Sequence, residues 1–162
     1  MIVLQPMNDY DFKQFLEVSI DSYAEEKASS GNWKQEEAYE KSKQEFERLL
    51  PEGRHTEDHF LYTIVNQAIE EKLGSLWVKV DNEAKEAFIY EFAINEDKQG
   101  RGFGTEAIKA LEVLLEKKDI EGLSLHVFGH NTKAIRLYER LGFKTTNINM
   151  KKSLQPKSLL SD

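Results

Sequence analysis

The chain of 162 residues contains no cysteine. Disulfide bonds, thiolate metal ligands and a cysteine nucleophile are therefore excluded. None of the four histidines belongs to an HExxH motif, so we expect no metal site. They are His55, His59, His126 and His130.

The sequence also lacks a long apolar run. Its most apolar stretch, Ala87 to Ile94, is far shorter than the roughly 20 residues that span a bilayer. The first residues, Met1 to Pro6, lack the basic and long apolar regions of a signal peptide and predict a strand instead. We therefore expect a cytoplasmic protein that does not bind a membrane.

Basic residues are outnumbered by acidic ones. The 22 Lys and Arg against 29 Asp and Glu give a formal net charge of −7. Proteins that bind nucleic acids neutralise phosphates with clustered basic residues, so we expect no nucleic-acid partner. An acidic surface is compatible with a cationic partner, although most such surfaces serve only solubility.

The apolar pattern predicts the element order β-α-α-β-β-β-α-β-α-β. Strands are predicted at 2–5, 59–66, 73–80, 87–95, 123–128 and 143–150, and helices at 9–26, 34–50, 105–118 and 132–141. No repeat or long linker divides the chain. We therefore predict a single α/β domain over residues 1–154 with a mostly antiparallel sheet, followed by a flexible tail over residues 155–162.

A glycine-rich segment, Gln99 to Gly104, separates the 87–95 strand from the 105–118 helix. Glycines let the main chain approach a ligand closely, and the N-terminus of the following helix favours phosphate. The GxGxG spacing differs from the dinucleotide fingerprint GxGxxG and lacks the Gly-Lys-Ser/Thr of a P-loop. Alone, the segment is compatible with a simple turn. As a ligand site it predicts a pyrophosphate cradle of another type, with Arg101 adding positive charge.

A second motif begins at Asn131 and continues through the last predicted helix. Asn131 is explained by an N-cap role, and Tyr138 by packing on the apolar stripe of that helix. Gly142 is predicted to end the helix as a C-cap. These residues need no function to account for them.

The two motifs together resemble those of the GCN5-related N-acetyltransferase superfamily. Gln99-x-x-Gly102-x-Gly104 is similar to its coenzyme A pyrophosphate loop, and Asn131-x-x-Ala134-x-x-Leu137-Tyr138-x-x-Leu141-Gly142-Phe143 is similar to its second signature. The resemblance covers roughly residues 58–150, whereas the first 57 residues match only in kind. It implies an acyl-CoA N-acyltransferase fold, a mixed and mostly antiparallel sheet of six to seven strands flanked by helices.

The resemblance also implies contacts with acetyl-CoA as cosubstrate. The loop would hold the pyrophosphate, the preceding strand would pair with the pantetheine amides, and Asn131 and Ala134 would contact the pantetheine arm. Tyr138 would protonate the departing thiolate as a general acid. The loop residues are Gln99, Gly100, Arg101, Gly102, Phe103, Gly104 and Thr105, and the strand residues are Phe92, Ala93 and Ile94.

Glu91 is the predicted general base. A period of two in its apolar strand places it on one face with Ile89 and Ala93. Partial burial there would raise the carboxyl pKa toward neutrality, which suits a base. An ion pair with a nearby Lys or Arg, or a solvated position, are open alternatives. Glu96 and His126 are the next candidates, although a lone histidine in a core strand is more often structural.

The resemblance implies direct acetyl transfer from acetyl-CoA to the primary amine of a small molecule or peptide. The first two helices and the segment 67–72 would form the acceptor site, and the glutamates of those helices suit a cationic acceptor. The alternatives are a catalytically silent coenzyme A-binding sensor or partner module, and a general peptide-binding module. The acyl chain length is open, and a homodimer is one option for the assembly.

Overall fold

The computed structural model describes residues 1–154, so the tail predicted at 155–162 lies outside the described residues. The strands are β1 (Ile2–Pro6), β2 (His59–Asn66), β3 (Glu71–Asp81), β4 (Glu86–Ile94) and β5 (Gly122–Leu125). The helices are α1 (Asp9–Ser29), α2 (Gln35–Leu49), α3 (Phe103–Glu116) and α4 (Thr132–Arg140). The chain divides into two compact units, Met1–His126 and a second that begins at Val127. The single domain over 1–154 stays a prediction.

All five strands form one sheet in the first unit, in the order β1-β2-β3-β4-β5. The first three pairings are antiparallel and the β4–β5 pairing is parallel. The prediction of a mixed, mostly antiparallel sheet is therefore confirmed. The β4–β5 pair is parallel because α3 carries the chain back to the starting end of the sheet between them.

The predicted count of six to seven strands is wrong for the part of the chain that the structure describes, which contains five. The missing strand is the one expected at 143–150, where the chain has no regular structure. The exposed fractions of Ile148 and Met150 are 70% and 89%. An apolar alternation stabilises a strand only when one face becomes buried, and these side chains bury little surface.

Helices cover the sheet of the first unit. One face packs against α1 and α2 through an apolar cluster: Met7, Phe15, Phe46, Leu50, Leu61 and Trp77. Leu76 and Val78 alternate with Trp77 along β3, so they point to the opposite face, and both are fully buried. Helix α3 contacts β1 and β4 and buries its predicted stripe. That stripe is Ala107, Ile108, Leu111 and Leu115.

Gly74 in β3 packs directly against β4, and we expect Gly74→Ala to lower the free energy of unfolding by about 1–3 kcal/mol. A Cβ at Gly74 would stand 2.0 Å from the main-chain oxygen of Ala93, so the two strands must separate. Gly122→Ala is the matched control, because its Cβ would meet only the flexible carboxyl end of Glu86. Urea unfolding of both variants measures the difference. Equal losses would show that main-chain proximity at Gly74 is unimportant.

The second unit contains α4, and both of its ends have the predicted caps. The side-chain oxygen of Asn131 accepts a hydrogen bond from the Ala134 N–H at 3.2 Å. Gly142 has φ of +97°, and its N–H donates to Glu139 O at 3.0 Å. The Phe143 N–H donates to Tyr138 O at 3.0 Å. These are the two bonds of a Schellman C-cap, which places glycine at the left-handed position.

Within residues 1–154, no helix is both long and apolar enough to cross a bilayer. No group of three or more His, Cys, Asp or Glu side chains there could hold a metal ion.

Candidate active site

A β-bulge in β4 sets the direction of the Glu91 side chain. Trp77 of β3 lies opposite Glu91, whereas the next β3 residue, Val78, lies opposite Ile89. Tyr90 is therefore the extra residue of the bulge. Because residues that face each other across a ladder share a face of the sheet, Glu91 lies on the Trp77 face, beneath α1 and α2.

The bulge corrects one sequence prediction. Glu91 shares a face with Ala93, as expected, because Ala93 lies opposite Ser75, two residues from Trp77. It does not share a face with Ile89, which lies opposite Val78. The parallel ladder of β4 with β5 also ends at Ile89 and Leu125, next to the bulge. The strand predicted to include His126 therefore stops one residue before it, and His126 is exposed.

Glu91 is half-buried, and its polar contact comes from α1. The Ser19 hydroxyl donates a hydrogen bond to Glu91 Oε1 at 2.8 Å. Burial raises the carboxyl pKa from its usual 4.5 to about 7, and the Ser19 hydrogen bond moderates that rise. The hydrogen bond to Ser19 takes the place of the ion pair that the sequence left open. Glu96, the next candidate, is exposed in the short 3-10 turn Glu96–Lys98.

Two aromatic residues lie next to Glu91, since Trp77 is opposite it on β3 and Tyr90 precedes it on β4. The Trp77 and Tyr90 rings stack with centroids 4.6 Å apart. Trp77 Nε1 donates a hydrogen bond to Nδ1 of the buried His59 at 2.8 Å. Burial lowers the pKa of His59, which favours the neutral imidazole that accepts this bond. The sequence places Tyr90 next to Glu91, but it did not predict Ser19, Trp77 or His59 as neighbours. A serine on the apolar stripe of α1 was the available signal.

The glycine loop leads from the end of β4 into α3. Gly100 and Gly102 have φ of +79° and +83°, in the left-handed region that side chains disfavour. Gly102 is the N-cap of α3 and supplies no side-chain acceptor to the first turn. The first N–H groups of a helix have no partner within the helix. Those of Phe103, Gly104 and Thr105 therefore form, with the helix dipole, a suitable site for an anion.

Side chains fix the entrance of this loop. Gln99 Nε2 donates a hydrogen bond to Ile94 O at 2.9 Å, which ties the loop to the end of β4. The Lys98 ammonium lies 3.0 Å from a carboxylate oxygen of Glu71 on β3. Arg101 is exposed between the two glycines. The loop therefore has an anchored start and presents main-chain donors and one guanidinium at its tip.

The predicted pantetheine strand, Phe92 to Ile94, is the last part of β4. Its ladder with β3 continues to Ile94, opposite Gly74, whereas the ladder with β5 ends at Ile89. Ala93 is exposed. Strand β3 therefore pairs with β4 as far as Ile94, whereas the ladder with β5 stops at Ile89. The predicted residues Phe92 to Ile94 lie in the part of β4 beyond the β5 ladder.

In the second unit, Tyr138 is half-buried on α4, and its ring meets the edge of the Phe143 ring at 5.7 Å. Burial raises the pKa of the Tyr138 phenol, so the hydroxyl keeps its proton well above neutral pH. The Asn131 side-chain oxygen is used in the cap, and its NH₂ group can still donate to a ligand. Ala134 is half-buried one turn before Tyr138.

Comparison with known proteins gives the family of the chain. Residues 20–143 match the model of the acetyltransferase (GNAT) family. Two uncharacterised N-acetyltransferases of Bacillus subtilis strain 168 are similar over nearly their whole length. YdgE is 37% identical over 93% of this chain and 97% of its own, and YycN is 40% identical over 94% and 99%.

Solved structures agree. The crystal structure of YycN from Bacillus subtilis superposes with a TM-score of 0.91, covering 96% of this chain and 99% of that one at 39% identity. PaiA N-acetyltransferase of Thermoplasma acidophilum, solved in complex with coenzyme A, shares the fold at 18% identity. Its TM-score is 0.68, with 92% of this chain and 93% of that chain covered. This chain therefore belongs to the acetyltransferase (GNAT) family.

Proposed function

We propose that this acetyltransferase moves an acetyl group from acetyl-CoA to a primary amine by direct attack in a ternary complex. The observation that carries the proposal is Glu91. It is a half-buried carboxylate with a pKa of about 7, eight residues before the glycine loop. Such a group accepts a proton at neutral pH, and the glycine loop that follows later in the chain suits a phosphate.

The cosubstrate is proposed to bind first through its pyrophosphate at the loop Gln99 to Thr105. Main-chain N–H groups at the start of α3 and the Arg101 guanidinium would offset the negative charge. A Cβ at Gly102 would meet nothing within 4 Å, so the main chain there is open to a ligand. The main chain of Phe92 to Ile94 would pair with the pantetheine amides, as strand addition does. Asn131 and Ala134 complete the proposed contacts.

Glu91 is proposed to act as the general base. Amines are largely protonated at neutral pH, so the acceptor must lose a proton before it can attack. Near pH 7 about half of the Glu91 carboxyls are ionised, and each takes one proton, directly or through a water molecule. The amine nitrogen then bonds to the thioester carbonyl carbon. Main-chain N–H groups of β4 would stabilise the developing negative charge on its oxygen.

Tyr138 is proposed to act as the general acid. The carbon–sulfur bond breaks, the thiolate takes the phenolic proton of Tyr138, and the newly acylated nitrogen releases its second proton to solvent. Solvent returns a proton to Tyr138, and Glu91 releases its proton to solvent before the next cycle. Because burial raises the pKa of the Tyr138 phenol above its usual value of 10, Tyr138 carries that proton near neutral pH, where Glu91 accepts one. The proposed base and acid are thus in the correct states at the same pH.

A cationic acceptor is proposed from the acidic helices α1 and α2. Glu25, Glu36 and Glu40 are exposed, and Glu37 forms an ion pair with Lys41 at 2.8 Å. The exposed carboxylates would attract a small-molecule or peptide amine over a distance of about a Debye length, roughly 8–10 Å. Acetylation that weakens at high salt with a polyamine, but not with a neutral-tailed amine, would support this choice.

Calorimetric titration of acetyl-CoA tests the cradle. We expect Gly102→Glu to weaken binding at least about tenfold, because a carboxylate would compete for the N–H groups at the start of α3 and repel phosphate. Gly31→Glu is the matched control. Gly31 has φ of +76° and, like Gly102, no atom within 4 Å of an added Cβ. Both variants carry the same backbone strain and charge, so only the position differs.

The outcomes separate the enzyme from its alternatives. Thiol release with members of an amine panel would support the transferase and identify the acceptor class. Binding without turnover on any amine would favour a silent coenzyme A sensor. If the folded wild type does not bind acetyl-CoA, or if Gly31→Glu loses as much affinity as Gly102→Glu, the cradle is refuted.

A further inference from the structure

Ser19 is a polar side chain in an apolar layer. It lies on α1 with 3% of its surface exposed, and its hydroxyl donates to Glu91 Oε1 at 2.8 Å across 72 residues of sequence. A buried hydroxyl is costly unless it is hydrogen-bonded, so this position is specific for its partner. The contact joins the proposed base on β4 to a helix that is outside the two sequence motifs.

We propose that Ser19 is a positioning residue for the acetyl transfer: its hydroxyl orients the Glu91 carboxylate and sets the pH at which Glu91 takes the acceptor's proton. The proposal rests on the function proposed above. Because Ser19 holds Oε1, the other oxygen, Oε2, would take the proton of the acceptor or of a bridging water. A neutral hydroxyl makes this hydrogen bond without placing a second charged group next to the carboxylate.

The titratable and charged groups around Glu91 come from several elements. Tyr90 flanks it on β4, and His59 on β2 contacts both Trp77 and Tyr90. Lys79 on β3 lowers the pKa of His59, and Asp58 raises it. Tyr23 on α1 packs against the apolar cluster that contains Trp77. On α2, Glu45 raises the pKa of the Tyr23 phenol and Arg48 lowers it. The causes of the shifted Glu91 pKa are burial first and the Ser19 hydrogen bond second.

The two causes act in opposite directions. Burial disfavours the carboxylate and raises the pKa of Glu91, whereas the Ser19 hydroxyl stabilises the carboxylate and lowers it. Removing the hydroxyl therefore leaves burial unopposed. The pKa of Glu91 then rises above about 7, and a higher pH is needed to form the active carboxylate.

The test is the pH dependence of acetyl transfer by Ser19→Ala. A hydrogen bond to a charged group is strong enough to move the acidic limb of kcat upward by about one pH unit. At pH 6.5 the variant should lose activity by close to tenfold, and at pH 9 it should approach the wild-type rate. The titration of the amine itself is common to both proteins and cancels in the comparison.

Ser42→Ala is the matched control. Ser42 is a fully buried serine on α2, and its hydroxyl donates to the main-chain oxygen of Ile20 at 2.7 Å rather than to a carboxylate. Its loss removes a buried hydrogen bond between α2 and α1 but leaves the bond to Glu91. We expect Ser42→Ala to be less stable with an unchanged acidic limb.

Carbon-13 NMR of the glutamate carboxyl groups follows the Glu91 pKa without turnover. Movement of both the NMR titration and the kinetic limb in Ser19→Ala supports the proposal. An equal loss of activity at every pH, an unchanged NMR titration, or an NMR shift with no kinetic shift overturns it. A wild type that acetylates no amine defeats the proposed function itself, and the NMR titration then still reports whether Ser19 controls the carboxyl.

Discussion

Replacing Glu91 by glutamine is expected to lower kcat by about 10²–10⁴-fold, the usual contribution of a general base. Glutamine is nearly the same size and can still accept the hydrogen bond from Ser19 through its side-chain oxygen. It cannot take a proton from the acceptor. The affinity for acetyl-CoA should not change, because the proposed pyrophosphate contacts lie in the loop that begins at Gln99. Steady-state kinetics and calorimetry measure the two effects separately.

The same substitution should make the protein more stable at high pH. The folded protein holds the Glu91 proton with a pKa of about 7, whereas the unfolded chain releases it near 4.5. Between these values the folded state binds more protons, so the Glu91 contribution to stability falls as the pH rises. Above pH 7 the buried carboxylate lowers the free energy of unfolding by about 3 kcal/mol. Below pH 4.5 this contribution vanishes.

Glutamine carries no charge at any pH, so Glu91→Gln should gain about 1–3 kcal/mol over the wild type at pH 8 and little at pH 4.5. The lower end of that range allows for an amide NH₂ that has to find a partner in a half-buried site. Urea unfolding at the two pH values measures the gain. Glu96→Gln is the control, because Glu96 is exposed and should change neither activity nor stability. A Glu91→Gln protein with near wild-type turnover would refute the base assignment.

The parts of the molecule that sequence predicted well depend on neighbours along the chain. The cap at Asn131 and the helix end at Gly142 are set within a few residues, and both are confirmed. The glycine loop was recognised from its residues, and the structure gives Gly102 a positive φ that glycine accepts readily. The stripe of α3 follows from the helical period.

The parts that sequence predicted badly depend on pairing with distant residues. The bulge at Tyr90 turns the side chain of Glu91 to the face opposite Ile89, and nothing in a strictly alternating pattern marks which residue will be extra. The strand expected at 143–150 needed a ladder partner, which periodicity cannot supply. The Ser19–Glu91 contact spans 72 residues. The local pattern therefore found the proposed base but not the residue that hydrogen-bonds to it.

Tyr138 offers a substitution that removes one hydroxyl and keeps the aromatic ring. Its ring packs edge-on against Phe143, and the hydrogen bond that helps to cap α4 uses its main-chain oxygen, so phenylalanine preserves both. Any change in rate can then be assigned to the phenol. The raised pKa of that phenol gives a further expectation. Tyr138 should contribute no alkaline limb to the pH profile below about pH 10, because it keeps its proton throughout.

We expect Tyr138→Phe to lower kcat by about 10²-fold or more while the calorimetric affinity for acetyl-CoA stays at the wild-type value. The thiolate would then have to leave without a proton, which raises the barrier to carbon–sulfur cleavage but not the free energy of binding. Tyr39→Phe, at an exposed tyrosine on α2, is the matched control. It should change neither kcat nor the affinity for acetyl-CoA. If Tyr138→Phe keeps more than half of the wild-type kcat, Tyr138 is a packing residue of α4 and the proton for the thiolate comes from solvent.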